Sequence, residues 1–149
     1  MDRDQILVKK TYLTIIKNSL GSKMFRSAYF KKNNKIYDVT RGGALSCAFF
    51  VSAILYLMKL STDIHMTVSG LEKDMKKSGW YPIQILKQGA VIIWEPNSKK
   101  KRSHSHIGFY WGHKVAISNS SKKKYPIKHN YTMGNQFHIT KIYWHDTLN

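Results

Sequence analysis

A change in the spacing of apolar residues near residue 80 constrains this chain more than any other feature. Before that point apolar residues recur at helical intervals; after it they fall in short unbroken or alternating runs. Ile6, Leu7, Leu13, Ile16 and Leu20 lie near helical spacing with lysines between them. That pattern predicts an amphipathic helix over residues 4–20, stopped at Gly21 and packing on the domain. Residues 21–46 are expected to be irregular, with turns at Asn33-Asn34 and Gly42-Gly43. Ser46 is placed to cap a helix from Cys47 to about Leu60, with Phe50, Val51, Ile54, Leu55 and Met58 as its apolar face. A helix so hydrophobic should be central. Ser69-Gly-Leu-Glu72 reads as a capping box opening a short helix that ends before Gly79.

Beyond residue 80, Ala90–Trp94, His106–Trp111, Lys114–Asn119 and Gln136–Trp144 read as strands. Helices first and an antiparallel sheet afterwards predict an α+β fold. The cysteine-bearing helix is expected to pack on a sheet of about four to six strands. With 149 residues and no repeat or linker, residues 1–149 are expected to form one domain, residues 1–21 packing on it.

Lysine and arginine number 25 against 8 acidic residues, a net charge of +17. Such a surface gathers polyanions, including nucleic acid, anionic lipid headgroups and acidic cell-wall polymers, but specifies no chemistry. The basic clusters Lys99–Arg102 and Lys122–Lys124, with Tyr125, Tyr131 and Trp111 nearby, leave nucleic-acid or other polyanion binding as the alternative function. That alternative predicts steeply salt-dependent binding indifferent to Cys47→Ala. A single cysteine excludes an intramolecular disulfide and a Cys-rich zinc site. His104-x-His106 would put two rings on one strand face, but no third ligand cluster accompanies them, so neither metal nor other cofactor is expected. The first 20 residues lack the apolar run and cleavage site of a signal peptide. The most apolar window, Ala48 to Met58, is far shorter than the ~20 residues of a membrane span. Synthesis in the cytoplasm is therefore expected, with release by another route if the protein acts on a cell wall.

Cys47 falls in the first turn of its helix, where free backbone N–H groups stabilise an anion and could hold an oxyanion. A buried structural cysteine is the plainer alternative. Of seven histidines, His106 begins a strand 59 residues after the cysteine and is the candidate base. For most of the other six a chance position is expected. If Gly112-His113 is a two-residue hairpin turn, Trp111 pairs with Lys114 and Asn119 comes opposite His106, able to orient its ring. A turn one residue longer would bring Ser120 there instead.

Taken together, Tyr37 with Gly42-Gly43, Ser46-Cys-Ala-Phe-Phe-Val51, Leu86-Lys-Gln-Gly-Ala-Val-Ile-Ile-Trp94 and Ser105-His-Ile-Gly-Phe-Tyr110 resemble the NlpC-type peptidases. Those are compact papain-like enzymes that cut peptides in bacterial cell walls. The family pattern is a tyrosine and a Gly-Gly turn, Asp-Cys-Ser-Gly-Phe-Val, Leu-Lys-Pro-Gly-Asp-Leu-Val-Phe-Trp, and Ser-His-Val-Gly-Ile-Tyr. The likeness spans residues 37 to about 120. It implies a papain-like fold, a cysteine peptidase or amidase acting on peptidoglycan peptides, Cys47 as nucleophile, His106 as base, and Tyr37 near the substrate. An ungapped match puts the third catalytic residue at Ser118, whereas the hairpin count gives Asn119, the amide found in that role in papain. Ser46, Ala48-Phe49 and Ala90 depart from the family pattern, and the first two departures alter the walls of the cleft. Cysteine before histidine matches the peptidase branch and the CHAP-type amidases, and differs from the permuted lipid-acyl branch.

Overall fold

The computed structural model describes residues 3–98 and 104–149, so the Lys99–Arg102 cluster lies outside the described residues. The element order is α1 (Val8–Asn18), β1 (Tyr29–Lys32), β2 (Lys35–Asp38), α2 (Cys47–Leu57), α3 (Val68–Lys77), β3 (Tyr81–Pro82), β4 (Val91–Pro96), β5 (His106–Gly112), β6 (Val115–Asn119), β7 (Pro126–Asn130) and β8 (Phe137–Trp144). This is an α+β arrangement. β1 and β2 form a separate two-stranded antiparallel hairpin, and the other six strands form an antiparallel sheet in the order β3-β8-β4-β5-β6-β7.

α2 is the hub. Ala48, Phe50, Val51, Ile54 and Leu55 are buried against β5 and β6. Phe50 meets Phe109 edge-on at 5.5 Å, a geometry favoured by the ring quadrupoles. Burying each such side chain stabilises the fold by roughly 1.5–3 kcal/mol. α1 is shorter than the apolar spacing predicts. Ile6 and Leu7 stay exposed, and the helix docks through Tyr12 and Ile16, Tyr12 donating to the Gly89 carbonyl at 2.7 Å.

Other expectations need correction. Residues 21–46 are not wholly irregular, because Asn33 and Asn34 take left-handed φ angles of 50° and 63° and close the β1–β2 hairpin. Asp38 fixes its base, accepting from the Ala28 and Thr40 amides, the Thr40 hydroxyl and the Gly42 amide. Ser46 precedes α2 but does not cap it; its hydroxyl donates to the Phe25 carbonyl instead. α3 is capped by Thr67, whose hydroxyl accepts from the Gly70 amide, so Ser69 lies inside the helix. β7 was hidden by its polarity, since only Pro126 and Ile127 are apolar among its five residues.

The β5–β6 turn also differs from the expected one. His113 and Lys114, with φ of 51° and 62°, are its central residues, and Gly112 pairs with Val115. A bulge at Trp111 then sets Tyr110 opposite Ala116 and Phe109 opposite Ile117. The register that would have brought Asn119 opposite His106 is therefore not formed.

Candidate active site

Cys47, the first residue of α2, and His106, the first residue of β5, line one cleft of about 550 Å³. Cys47 as a residue is half-buried, and its thiol faces the backbone N–H groups of Ile107, Ala48 and Cys47 itself. Burial pushes the thiol up from its ordinary value, and those three N–H groups only partly offset it. The N–H groups around it are the donors that an oxyanion beside the sulfur would use.

His106 is boxed by aromatic rings. Trp94, its partner across β4, has its ring centre 5.6 Å away, and Phe137 lies at 6.4 Å. Burial, and the His129 ring nearby, push the imidazole down to about 4. The ring is held by a chain of hydrogen bonds whose direction is fixed at its far end. His129 Nδ1 lies 2.8 Å from the Asn130 carbonyl, which can only accept, so Nδ1 carries the proton. A neutral His129 then has a lone pair on Nε2, 2.7 Å from the Ser118 hydroxyl, and Ser118 donates to it. The Ser118 oxygen is left to accept from His106 Nε2 at 2.8 Å. His106 therefore carries its proton on Nε2 and keeps the Nδ1 lone pair, the atom a general base needs. His129 is kept neutral by burial, against the raising effect of the Asn130 carbonyl.

Gly108 makes this contact possible. A β-carbon there would come within 2.7 Å of both the Ile117 carbonyl and the Ser118 β-carbon. The glycine two residues after the histidine thus lets β6 approach closely enough for Ser118 to reach the imidazole.

Asn119, expected to orient His106, is buried beside the cleft and donates its side-chain N–H to the Gly43 carbonyl at 2.9 Å. It ties down the Gly42-Gly43 turn that leads into the Cys47 helix. Its Oδ1 has no partner among the described residues. Tyr37 lies on the exposed hairpin, its ring 6.3 Å from Phe30, and is not among the residues lining the cleft. Ser120 and Ser121 border the side nearest His129.

His129 is the group that sequence reasoning set aside. A faint signal was present: Ile127 and His129 alternate two residues apart after the Lys122–Lys124 turn, as on one face of a strand. No family model matches the chain, and no curated protein matches its sequence. Among the described residues no helix is long and apolar enough to cross a membrane.

Proposed function

We propose that this protein is a cysteine hydrolase, a peptidase or amidase of papain-like architecture, with Cys47 as nucleophile and His106 as general base. One observation carries the reading. The hydrogen-bond chain from Asn130 through His129 and Ser118 leaves His106 Nδ1 unprotonated in the cleft that holds the cysteine.

In the proposed mechanism the substrate carbonyl enters over Cys47, and His106 takes the thiol proton as the sulfur–carbon bond forms. The N–H groups of Ile107, Ala48 and Cys47 receive the oxyanion. His106 then protonates the departing amine, and a water activated by the same nitrogen releases the acyl group from the thioester. Ser118 and His129 are positioning residues: they fix the tautomer of His106 and touch no reacting atom. The mechanism calls for no cofactor.

For substrate we propose a peptide amide in bacterial cell wall. The motif order resembling NlpC-type enzymes supports it, as does the +17 charge, which would draw the protein to acidic wall polymers. The test is to incubate purified wall fragments with the protein and with Cys47→Ala and count new amine ends. Release that disappears in the variant is expected; release that persists in Cys47→Ala, or none from either protein, would falsify the proposal.

A further inference from the structure

His106 and His129 are joined through one hydroxyl, and that hydroxyl has a single proton to give. At rest the chain runs one way. His106 Nε2 donates to Ser118 at 2.8 Å, Ser118 donates to His129 Nε2 at 2.7 Å, and His129 Nδ1 donates to the Asn130 carbonyl at 2.8 Å. A carbonyl only accepts, so the last bond keeps its direction, while the two bonds at Ser118 turn round together when a proton crosses them. Among the described residues, no Lys, Arg, Asp or Glu lines the depression of about 440 Å³ that both rings border. β4 brings Trp94, its ring centre 5.7 Å from His129, and the turn before β8 brings Met133 and Phe137. Glu95, which follows Trp94 in β4, accepts from the Ser105 hydroxyl, and the cleft side adds Cys47 and His104. Across Ser118, the titratable group each ring faces is the other ring.

We propose that Ser118 relays a proton between the two rings, so that the positive charge produced when Cys47 ionises is carried by His129 and not by His106. The proposal rests on the hydrolase reading above and says where that reaction puts its charge. The Cys47 S–H bond breaks and an N–H bond forms at His106 Nδ1. The His106 Nε2 proton passes to the Ser118 oxygen, and the Ser118 proton passes to His129 Nε2. The products are a thiolate, a neutral His106 protonated on Nδ1, and a His129 imidazolium whose Nδ1–H still meets the Asn130 carbonyl. When Nδ1 protonates the departing amine, the relay runs back. His129 is the better host for the charge. The Asn130 carbonyl accepts from its Nδ1 and favours the charged ring against burial. His106 is bonded to a hydroxyl, boxed by Trp94 and Phe137, and opposed in taking charge by burial and by a charge on His129. The two rings therefore titrate as a coupled pair. Ser118 and His129 remain positioning residues, acting only through His106. A base in an apolar box accepts the thiol proton because it does not have to keep the charge.

A nitrogen-15 NMR titration of the full chain with labelled histidine tests this, because the shift of each ring nitrogen reports whether it carries a proton. As pH falls from neutral, the first proton taken up by the pair should leave His129 protonated on both nitrogens. At the same time His106 should exchange tautomers, Nδ1 gaining a proton as Nε2 loses one. The relay would be overturned by a His106 that becomes imidazolium while His129 stays neutral. It would equally be overturned by a His106 Nδ1 that stays bare as His129 charges, or that stays bare until the chain unfolds in acid. In Ser118→Ala, and independently in His129→Phe, the exchange should vanish and His106 should take up its proton only by becoming imidazolium. An exchange that survives either substitution also overturns the relay. The measurement needs no turnover, so it separates the two ideas: amine release without the exchange removes the relay alone, and the exchange without amine release removes the hydrolase reading alone.

Discussion

Two histidines in this molecule are each held through Nε2 at nearly the same distance, yet their surroundings suit them to opposite tasks. His65 meets the Asp74 carboxylate at 2.7 Å, and His106 meets the Ser118 hydroxyl at 2.8 Å. Asp74 is buried and also accepts from the Thr62 and Asp63 amides and from the Thr62 and Ser78 hydroxyls. Burial alone would raise its pKa, but the hydrogen bonds from Thr62, His65 and Ser78 outweigh it and hold the carboxyl well below the usual range. That cluster ties the segment after α2 to α3. Among the described residues no carboxylate bonds to the His106 ring; a hydroxyl and a second neutral imidazole fix the tautomer and leave the ring uncharged. A carboxylate partner secures structure, whereas a hydroxyl partner secures a lone pair.

The sharpest way to break this contrast is to delete each histidine in turn. His106→Ala should lower amine release from wall fragments by roughly 10²–10⁴-fold, the usual worth of a general base. His65→Ala should leave the rate per folded molecule near wild type. Equal losses of activity would erase the distinction. Asp74→Ala comes next. It strands several buried donors and should cost about 3 kcal/mol, lowering Tm by roughly 6–12 °C for a domain of this size without changing kcat. Thermal unfolding beside kinetics at a permissive temperature separates the two effects.

Smaller losses should follow from the positioning residues. Ser118→Ala should reduce kcat by roughly 10–100-fold, by analogy with loss of a tautomer-fixing partner, and should change KM little. His129→Phe should do less, because Ser118 can still accept from His106. A loss confined to KM would point to substrate binding instead. Stability against pH sharpens the comparison further. His106 has a folded pKa of about 4. The unfolded chain titrates it near 6.5, so below that pH the unfolded state binds the extra proton. Stability should therefore fall, on the order of 2 kcal/mol, as pH drops from about 6.5 toward 4, and the fall should shrink in His106→Gln. Asp74 acts in a lower window, since its contribution persists above the ordinary carboxyl pKa and fades only as pH falls below it. Finally, because the Cys47 thiol is raised and His106 lowered, chloroacetamide alkylation should climb with pH toward and beyond 9. A plateau between about pH 4 and 8 would instead mark a thiolate–imidazolium pair.

Much of this architecture was legible in the order of residues. α2, β4 and β5 follow from apolar runs too dense to stay in water, β8 from apolar residues spaced along a strand, and Cys47 and His106 stand at the starts of α2 and β5 as their spacing predicts. β7 was not legible, because a sheet-edge strand needs few apolar residues and its lysine and histidine look like loop. The partner of His106 was legible only in part: the ungapped family match pointed to Ser118, which holds the ring at 2.8 Å, whereas the hairpin count pointed to Asn119. A turn moved one residue along and a bulge at Trp111 exchanged Asn119 for Ser118, since in a period-two structure a shift of one residue reverses which face a side chain takes.

What the sequence determined by itself was local: an apolar helix beginning at a cysteine, strands after residue 80, and an excess of positive charge. These depend on propensity and on hydrophobic spacing over a few neighbours. Tertiary structure alone decided which nitrogen of His106 is free, because that depends on three side chains from β5, β6 and β7 meeting at hydrogen-bond distance. Directional bonds between distant segments answer to register and backbone approach, here permitted by Gly108, and neither is written in any one stretch of chain.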